Sequence, residues 1–197
     1  MISKTSKTLK NYFESTALVI NNLHKHNKDI HTIYKDILNT SKKGGKILVC
    51  GNGGSSADAD HFVGELICTF LKRSRKPISA ISMSSLPSAI TAWSNDFGFN
   101  TYLKRFIEAN GKKSDILIIL STGGGDIKKN ISTNVVKAAL EAKKKGIKII
   151  SLVGKTGGVL KKISDVVIII KSYETSIIQE CHMSILHAIC LLLDKEL

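Results

Sequence analysis

With 197 residues, 43% of them hydrophobic, the chain has the size of one domain around a single core, which argues against a two-domain enzyme. Lys and Arg outnumber Asp and Glu by 29 to 16, a net charge of +13, yet only Arg73, Arg75 and Arg105 are arginines; base readers and phosphate forks favour arginine, so the lysines describe a solubilising surface and argue against a nucleic-acid partner. No signal-length apolar run opens the sequence, no later segment has ~18 consecutive apolar residues, and Cys50, Cys68, Cys181 and Cys190 form no CxxC pair, so a cytoplasmic protein with reduced core thiols and no membrane partner is expected.

Residues 5 to 43 show helical spacing, with Leu9, Tyr12, Phe13, Leu18, Ile20 and Leu23, then Ile30, Ile33, Tyr34, Ile37 and Leu38, interrupted near Asn27 and Asp29. This predicts an N-terminal helical hairpin ahead of an α/β core over 44–197. Lys46 to Cys50 reads as a strand running into the turn Gly51-Asn52-Gly53-Gly54-Ser55-Ser56 and a helix from Ala57 to Leu71. The unit recurs at Ile116 to Leu120, followed by Ser121-Thr122-Gly123-Gly124-Gly125-Asp126 and a helix through Lys145, and again at Ile147 to Val153 before Gly154-Lys155-Thr156-Gly157-Gly158. Ile78 to Ser82 and Val166 to Ile170 complete five strands whose continuous apolar character suits burial on both faces. Leu86 to Trp93 and Thr101 to Asn110 fit helices around the corner Ser94 to Gly98. The last helix, Thr175 to Asp194, is apolar nearly all round and must be buried, in part against another subunit. The expected architecture is a single-domain, three-layer α/β sandwich on a five-stranded parallel sheet.

In such sheets ligands bind beyond the carboxyl ends of the strands, where free N–H groups at helix starts attract anions. Both glycine-rich loops lie there, and Ser55, Ser56, Ser121 and Thr122 add hydroxyl donors, so the expected ligand is a phosphorylated small molecule. No GK[ST] closes either loop and GxGxxG is not matched, which disfavours nucleotides. On the helix after the first loop, His61 and Glu65 share a face; on the last helix, Gln179 and His187 fall on adjoining faces. These four could surround one divalent metal, zinc suiting the set best, or the carboxylate and imidazole could move protons without a metal; spacing leaves both open. Helix-surface pairing of His61 with Glu65 and a core role for His187 are the plainer readings. Asp58 and Asp60 are read as serving the helix N-terminus, and His24, His26 and His31 as solvated.

Taken together, CGNGGSSADADHFVGEL, SNDFGFN, STGGG, SLVGKTGG and IIQECHMSILH, in that order from about Gly44 to the end, resemble the phosphoheptose isomerase family of the sugar-isomerase (SIS) superfamily. The resemblance implies a flavodoxin-like SIS fold and a homotetramer with active sites at subunit interfaces. It also implies conversion of D-sedoheptulose 7-phosphate to D-glycero-D-manno-heptose 7-phosphate, for lipopolysaccharide or capsule heptose. Glu65 corresponds to the family's base and His187 to its acid; His61, Glu65, Gln179 and His187 correspond to its zinc ligands. Ser55, Ser121 and Thr122 stand where the family grips phosphate, and Asn52, Gly53, Asn95 and Asp96 where it meets the sugar. The second loop departs from the family's STSGNS: Gly123 stands in it, and Asp126 stands where a phosphate-binding hydroxyl is expected. Either Asp126 turns away as a helix N-cap while backbone N–H groups take the phosphate, or the phosphosugar differs. Ile177 likewise replaces a frequent arginine. A non-catalytic SIS binding module is the competing class, but such relatives tend to lack the Glu and His pair that this chain keeps.

Overall fold

In a computed structural model, which describes residues 4–197, the elements are α1 (Lys4–Asn21), α2 (Asn27–Lys42), β1 (Ile47–Cys50), α3 (Gly54–Ile67), β2 (Ala80–Ser82), α4 (Pro87–Phe97), α5 (Tyr102–Asn110), β3 (Ile116–Ser121), α6 (Thr133–Lys144), β4 (Lys148–Gly154), α7 (Leu160–Ile163), β5 (Val166–Ile170) and α8 (Thr175–Glu196). Short 3-10 turns, Asn22–His26 and Phe99–Thr101, join α1 to α2 and α4 to α5. The five strands pair in parallel in the order β2-β1-β3-β4-β5. The chain winds outward in opposite directions from β1, so a crevice opens between the carboxyl ends of β1 and β3, the switch point where such sheets bind ligands.

Strand residues alternate between two cores because successive side chains point to opposite faces. Ile47, Val49, Ile116, Ile118 and Leu120 pack with α2, α3 and α8, whereas Leu48, Cys50, Leu117 and Ile119 pack with α5, α6 and α7. Both sides are apolar, which is why the strands read as unbroken hydrophobic runs rather than alternating ones. The α2 positions picked out by spacing, Ile30, Ile33, Tyr34, Ile37 and Leu38, are all buried. Helix α1 buries none of its residues fully and meets α8 through the Tyr12 hydroxyl, which donates to Glu180. Helix α8 is long and apolar enough to cross a membrane, but it packs against α1, α2, α3 and β4, and half of its most apolar stretch is buried there.

Several helix limits differ from the sequence reading: α4 runs on to Phe97 through most of the corner expected at Ser94 to Gly98, and two others are set by specific contacts. Helix α3 stops at Ile67, not Leu71, because the Arg75 guanidinium donates to the carbonyls of Glu65 and Leu66, while the Asp194 carboxylate accepts from the Leu71 and Lys72 N–H groups at 2.7 and 2.8 Å. These contacts satisfy the end of the helix and carry the chain away from it. Helix α6 starts only at Thr133; the residues after the second glycine loop form a tight turn in which Asp126 and Ile131 exchange two backbone hydrogen bonds of 2.9 Å.

Candidate active site

The crevice between β1 and β3 holds a cavity of about 310 Å³ lined by Asn52, Gly53, Gly54, Ser55, Leu120, Ser121, Thr122, Ser132, Thr175 and Gln179. Three helix starts meet on it: Gly53 and Gly54 open α3, Ser132 precedes α6 and Thr175 opens α8. Each start presents unpaired N–H groups and the positive end of a helix dipole. No lysine or arginine lines the cavity, so its attraction for an anion comes from backbone dipoles and hydroxyls. Ser55 and Ser121 are buried at 3% and 6% exposure. The Ser121 Oγ accepts the Gly124 N–H at 3.1 Å, which aims its own proton elsewhere, and Gln179 Nε2 reaches Ser55 Oγ at 3.5 Å. A larger hollow of about 350 Å³ at the end of α1 is lined by Leu18, Val19, Leu23 and Ile170 with Asn22, Lys25, His26 and Lys171, and lies away from the carboxyl ends of β1 and β3.

The second loop corrects one expectation. Asp126 does not cap α6: its Oδ1 accepts the Lys129 N–H at 3.1 Å, inside its own turn, and the carboxylate does not line the cavity. The hydroxyl missing from STGGGD comes instead from Ser132, brought to the cavity wall by that turn and held in the left-handed region at φ 48°. Gly124 faces the loop after β4: a Cβ on it would lie 2.0 Å from the Gly157 carbonyl oxygen, so two backbones touch there and this glycine serves that contact, whereas a Cβ on Gly123 would meet open space. Ser132 and Thr175 escaped the sequence reading, one because it follows an irregular turn and the other because it opens a helix read only for its downstream residues.

Asn95 and Asp96 are exposed at the end of α4, hydrogen-bonded to each other at 2.9 Å, and do not line the cavity. Asn52 does, but its carboxamide is already engaged: it donates to Asn134 Oδ1 at 2.9 Å and accepts from Asn134 Nδ2 at 2.7 Å. Ile177, where an arginine was expected, is buried in the core at 2% exposure.

Farther along α3 and α8 lies a second cluster. His61 Nε2 stands 3.3 Å from Glu65 Oε1 and 3.1 Å from His187 Nε2. His187 also stacks on Phe70, with ring centroids 5.3 Å apart. Glu65 is one-fifth exposed and His61 nearly half, so the cluster is open to a ligand. His61 thus joins the two groups that sequence reasoning paired directly, giving a carboxylate, an imidazole and a second imidazole in one row through which a proton can pass. The nearby Asp58 carboxyl is pushed up by burial, an effect that the charge of His61 opposes.

Within one chain, the four residues expected to bind zinc are not all gathered at one point. The spacings to His61 are close to the ~3.3 Å edge of a tetrahedron with 2.0–2.1 Å bonds. Gln179, however, belongs to the cavity beside Ser55, and among the described residues no group of three or more His, Cys, Asp and Glu is arranged to hold a metal ion. The histidine buried in the core is His182, wholly inaccessible, not His187.

A parallel sheet with this order, glycine loops at its switch point and a polar anion cavity define an SIS domain, and the SIS domain family matches residues 11–154. A phosphoheptose isomerase from Helicobacter pylori strain P12 is 45% identical over 154 residues, 78% of this chain and 77% of the relative. One from Cytophaga hutchinsonii is 39% identical over 194 residues, 96% of this chain and 97% of the relative. The solved phosphoheptose isomerase of Francisella tularensis superimposes with a TM-score of 0.90 at 30% identity, covering 98% of this chain and 100% of that one. That of Neisseria gonorrhoeae gives 0.88 at 28%, with the same coverage. The chain belongs to the phosphoheptose isomerase family.

Proposed function

We propose that this chain isomerises D-sedoheptulose 7-phosphate to D-glycero-D-manno-heptose 7-phosphate, in the cytoplasm, as a step toward lipopolysaccharide or capsule heptose. The observation that carries the reading is the pairing of an anion cavity with an acid–base row on the same two helices. The phosphate sits at the starts of α3, α6 and α8, taking N–H groups of Gly53 and Gly54 and the hydroxyls of Ser55, Ser121, Thr122 and Ser132. At ~1.5 Å per residue, His61 lies roughly 10 Å beyond Gly54 along α3, and His187 roughly 12 Å beyond Gln179 along α8. An extended seven-carbon chain with bonds of ~1.5 Å covers roughly 9 Å from its carbonyl carbon to its phosphate, so the reacting end reaches the row while the phosphate stays in the cavity.

There Glu65 removes a proton from C1 of the ketose as O2 gains one, giving a 1,2-enediol. The proton on O1 then leaves and C2 receives one, completing the aldose. His187 carries protons between the two oxygens, and His61, hydrogen-bonding distance from both neighbours, keeps the carboxylate and the imidazole in exchange. Zinc belongs to the proposal as an ion that His61, Glu65 and His187 would hold, with Gln179 as the fourth expected ligand, and that would polarise the carbonyl; no step of this scheme passes through it.

Assembly belongs to the same proposal. Leu9, Phe13 and Leu18 on α1, Ile67 at the end of α3 and Leu71 beyond it are exposed, and Asn95 and Asp96 do not line the cavity of their own chain. A homotetramer with its sites at subunit interfaces covers these residues and brings the α4 pair to a neighbour's site. The deciding experiment is turnover of sedoheptulose 7-phosphate by purified protein, metal-stripped and zinc-loaded, with Glu65→Gln and His187→Gln alongside. Turnover that both substitutions abolish in folded protein supports the reading; folded wild-type protein inactive in both states refutes it.

A further inference from the structure

Asn134 lies in the first turn of α6, is 2% exposed, and holds the first ligand loop from α6 through two side-chain hydrogen bonds to Asn52. Its carboxamide and that of Asn52 form a reciprocal pair, each donating once and accepting once at 2.7 and 2.9 Å. Turning one amide over sets donor against donor and acceptor against acceptor, so each side chain fixes the orientation of the other. The backbone carbonyl of Asn52 in turn accepts the Ser55 N–H at 3.0 Å, closing the turn that presents Gly53 and Gly54. Two residues before Asn134 stands Ser132, on the opposite wall.

We propose that Asn134 is a positioning residue for the phosphate group: by holding Asn52 it sets the distance between the loop after β1 and the start of α6, and hence whether the Gly53 and Gly54 N–H groups and the Ser132 hydroxyl close on one anion. The inference rests on the phosphate reading of the cavity. It assigns no contact between Asn134 and the substrate, since Asn134 is buried behind Asn52 and does not line the cavity. An anion bound mainly by backbone dipoles is sensitive to such a brace, because dipolar attraction weakens within one helical turn of its source.

The test compares wild type, Asn134→Ala, Asn52→Ala and the double variant by the dissociation constant for inorganic phosphate from calorimetry, by KM and kcat with sedoheptulose 7-phosphate, and by Tm. Each single variant should weaken phosphate binding about tenfold, the worth of one net hydrogen bond. The double variant should be no weaker than either single one, because losing either partner already breaks both bonds. For Asn134→Ala, KM should rise in the same proportion while kcat stays within about twofold, since Glu65 and His187 are untouched. A merely structural role would lower Tm and leave the phosphate constant of the folded protein unchanged; that result, or additive losses in the double variant, overturns the proposal. Asn134→Ser, too short to reach Asn52, takes the place of the alanine variant if the latter does not fold. Wild-type protein that binds phosphate but does not turn over the heptulose overturns the proposed reaction while the calorimetric cycle still decides the role of Asn134, and wild type that binds no phosphate overturns both.

Discussion

Replacing His182 with leucine should change how acid unfolds this protein. His182 is 0% exposed, and neither ring nitrogen has a hydrogen-bond partner of good geometry. Burial pushes its pKa down from 6.5 to about 4, with the Val153 backbone offering only a partial offset. Above the unfolded-state value of 6.5 neither folded nor unfolded chain holds the proton, and the full stability is present. As pH falls through the window from 6.5 to about 4 only the unfolded chain is protonated at this position, so folding loses ground. By pH 4.5 the loss amounts to about 2.5 kcal/mol. Leucine cannot take a proton, so the stability difference between the variant and wild type should widen by that amount between pH 7 and pH 4.5. For a domain of this size the corresponding change in the Tm difference is roughly 5–10 °C. Urea titrations of both proteins at the two pH values measure the gap directly. A gap that stays constant within about 0.5 kcal/mol would show that the folded protein accommodates a charged His182, and the argument from burial would fail.

Asp126→Ala should leave KM for the phosphosugar within about twofold of wild type, because the carboxylate is spent on the Lys129 N–H; a large drop in KM would place its charge beside the phosphate after all. Ser132→Ala should raise KM by about tenfold or more, as expected when a hydrogen bond to a charged group is removed, and an unchanged value would take Ser132 out of the phosphate site. Arg75→Met should cost about 3–5 kcal/mol in urea unfolding, since it leaves Asp194 buried without its ion pair, and adding Asp194→Leu should not restore it, because the Leu71 and Lys72 N–H groups then lose their acceptor; recovery in the double variant would refute this account.

The sheet was legible because strands buried on both faces write themselves as unbroken apolar runs, and Ile116 to Leu120 or Val166 to Ile170 admit no other role once glycine turns bound them. Ser55, Ser121, Thr122 and Gln179 were legible as well, each fixed to a regular element whose start could be read. The rest of the cavity depends on irregular backbone. Nothing in the spacing of Gly123 to Ile131 says that Asp126 folds back on Lys129 and delivers Ser132, because a turn held by two backbone hydrogen bonds has no side-chain period. The pairing of Asn52 with Asn134 joins positions 82 apart, and the end of α3 is set by Arg75 together with Asp194 at the far end of the chain. Such contacts form only when the sheet brings distant segments together. The fully buried histidine was misplaced for a related reason: α8 is apolar on so many sides that period alone cannot say whether His182 or His187 faces the core.

Helices α3 and α8 do two jobs at different heights, and the same geometry explains both. Their starts supply dipoles to the cavity, and two to three turns on they supply His61, Glu65 and His187. The 3.1 Å contact of His61 with His187 crosses from α3 to α8, and the proposed proton transfer through it fails if one helix slides past the other by even a fraction of a turn, whereas an anion cavity tolerates less exact placement. The register is accordingly fixed on either side of the row. At the start, the Gln179 carboxamide lies directly over Gly54, where a Cβ would sit 2.5 Å from Nε2, so the two helices are in close contact there. At the end, Arg75 binds the last carbonyls of α3 while pairing with Asp194 at 2.8 Å, and Asp194 lies two turns beyond His187 on α8. An ion pair buried to 2% and 7% exposure is weak evidence for stability, because desolvation offsets most of its attraction. Its value here lies in direction: a planar guanidinium that must satisfy the carbonyls of Glu65, Leu66 and Lys76 and a carboxylate at once accepts one relative position of α3 and α8, the position in which His61 meets His187.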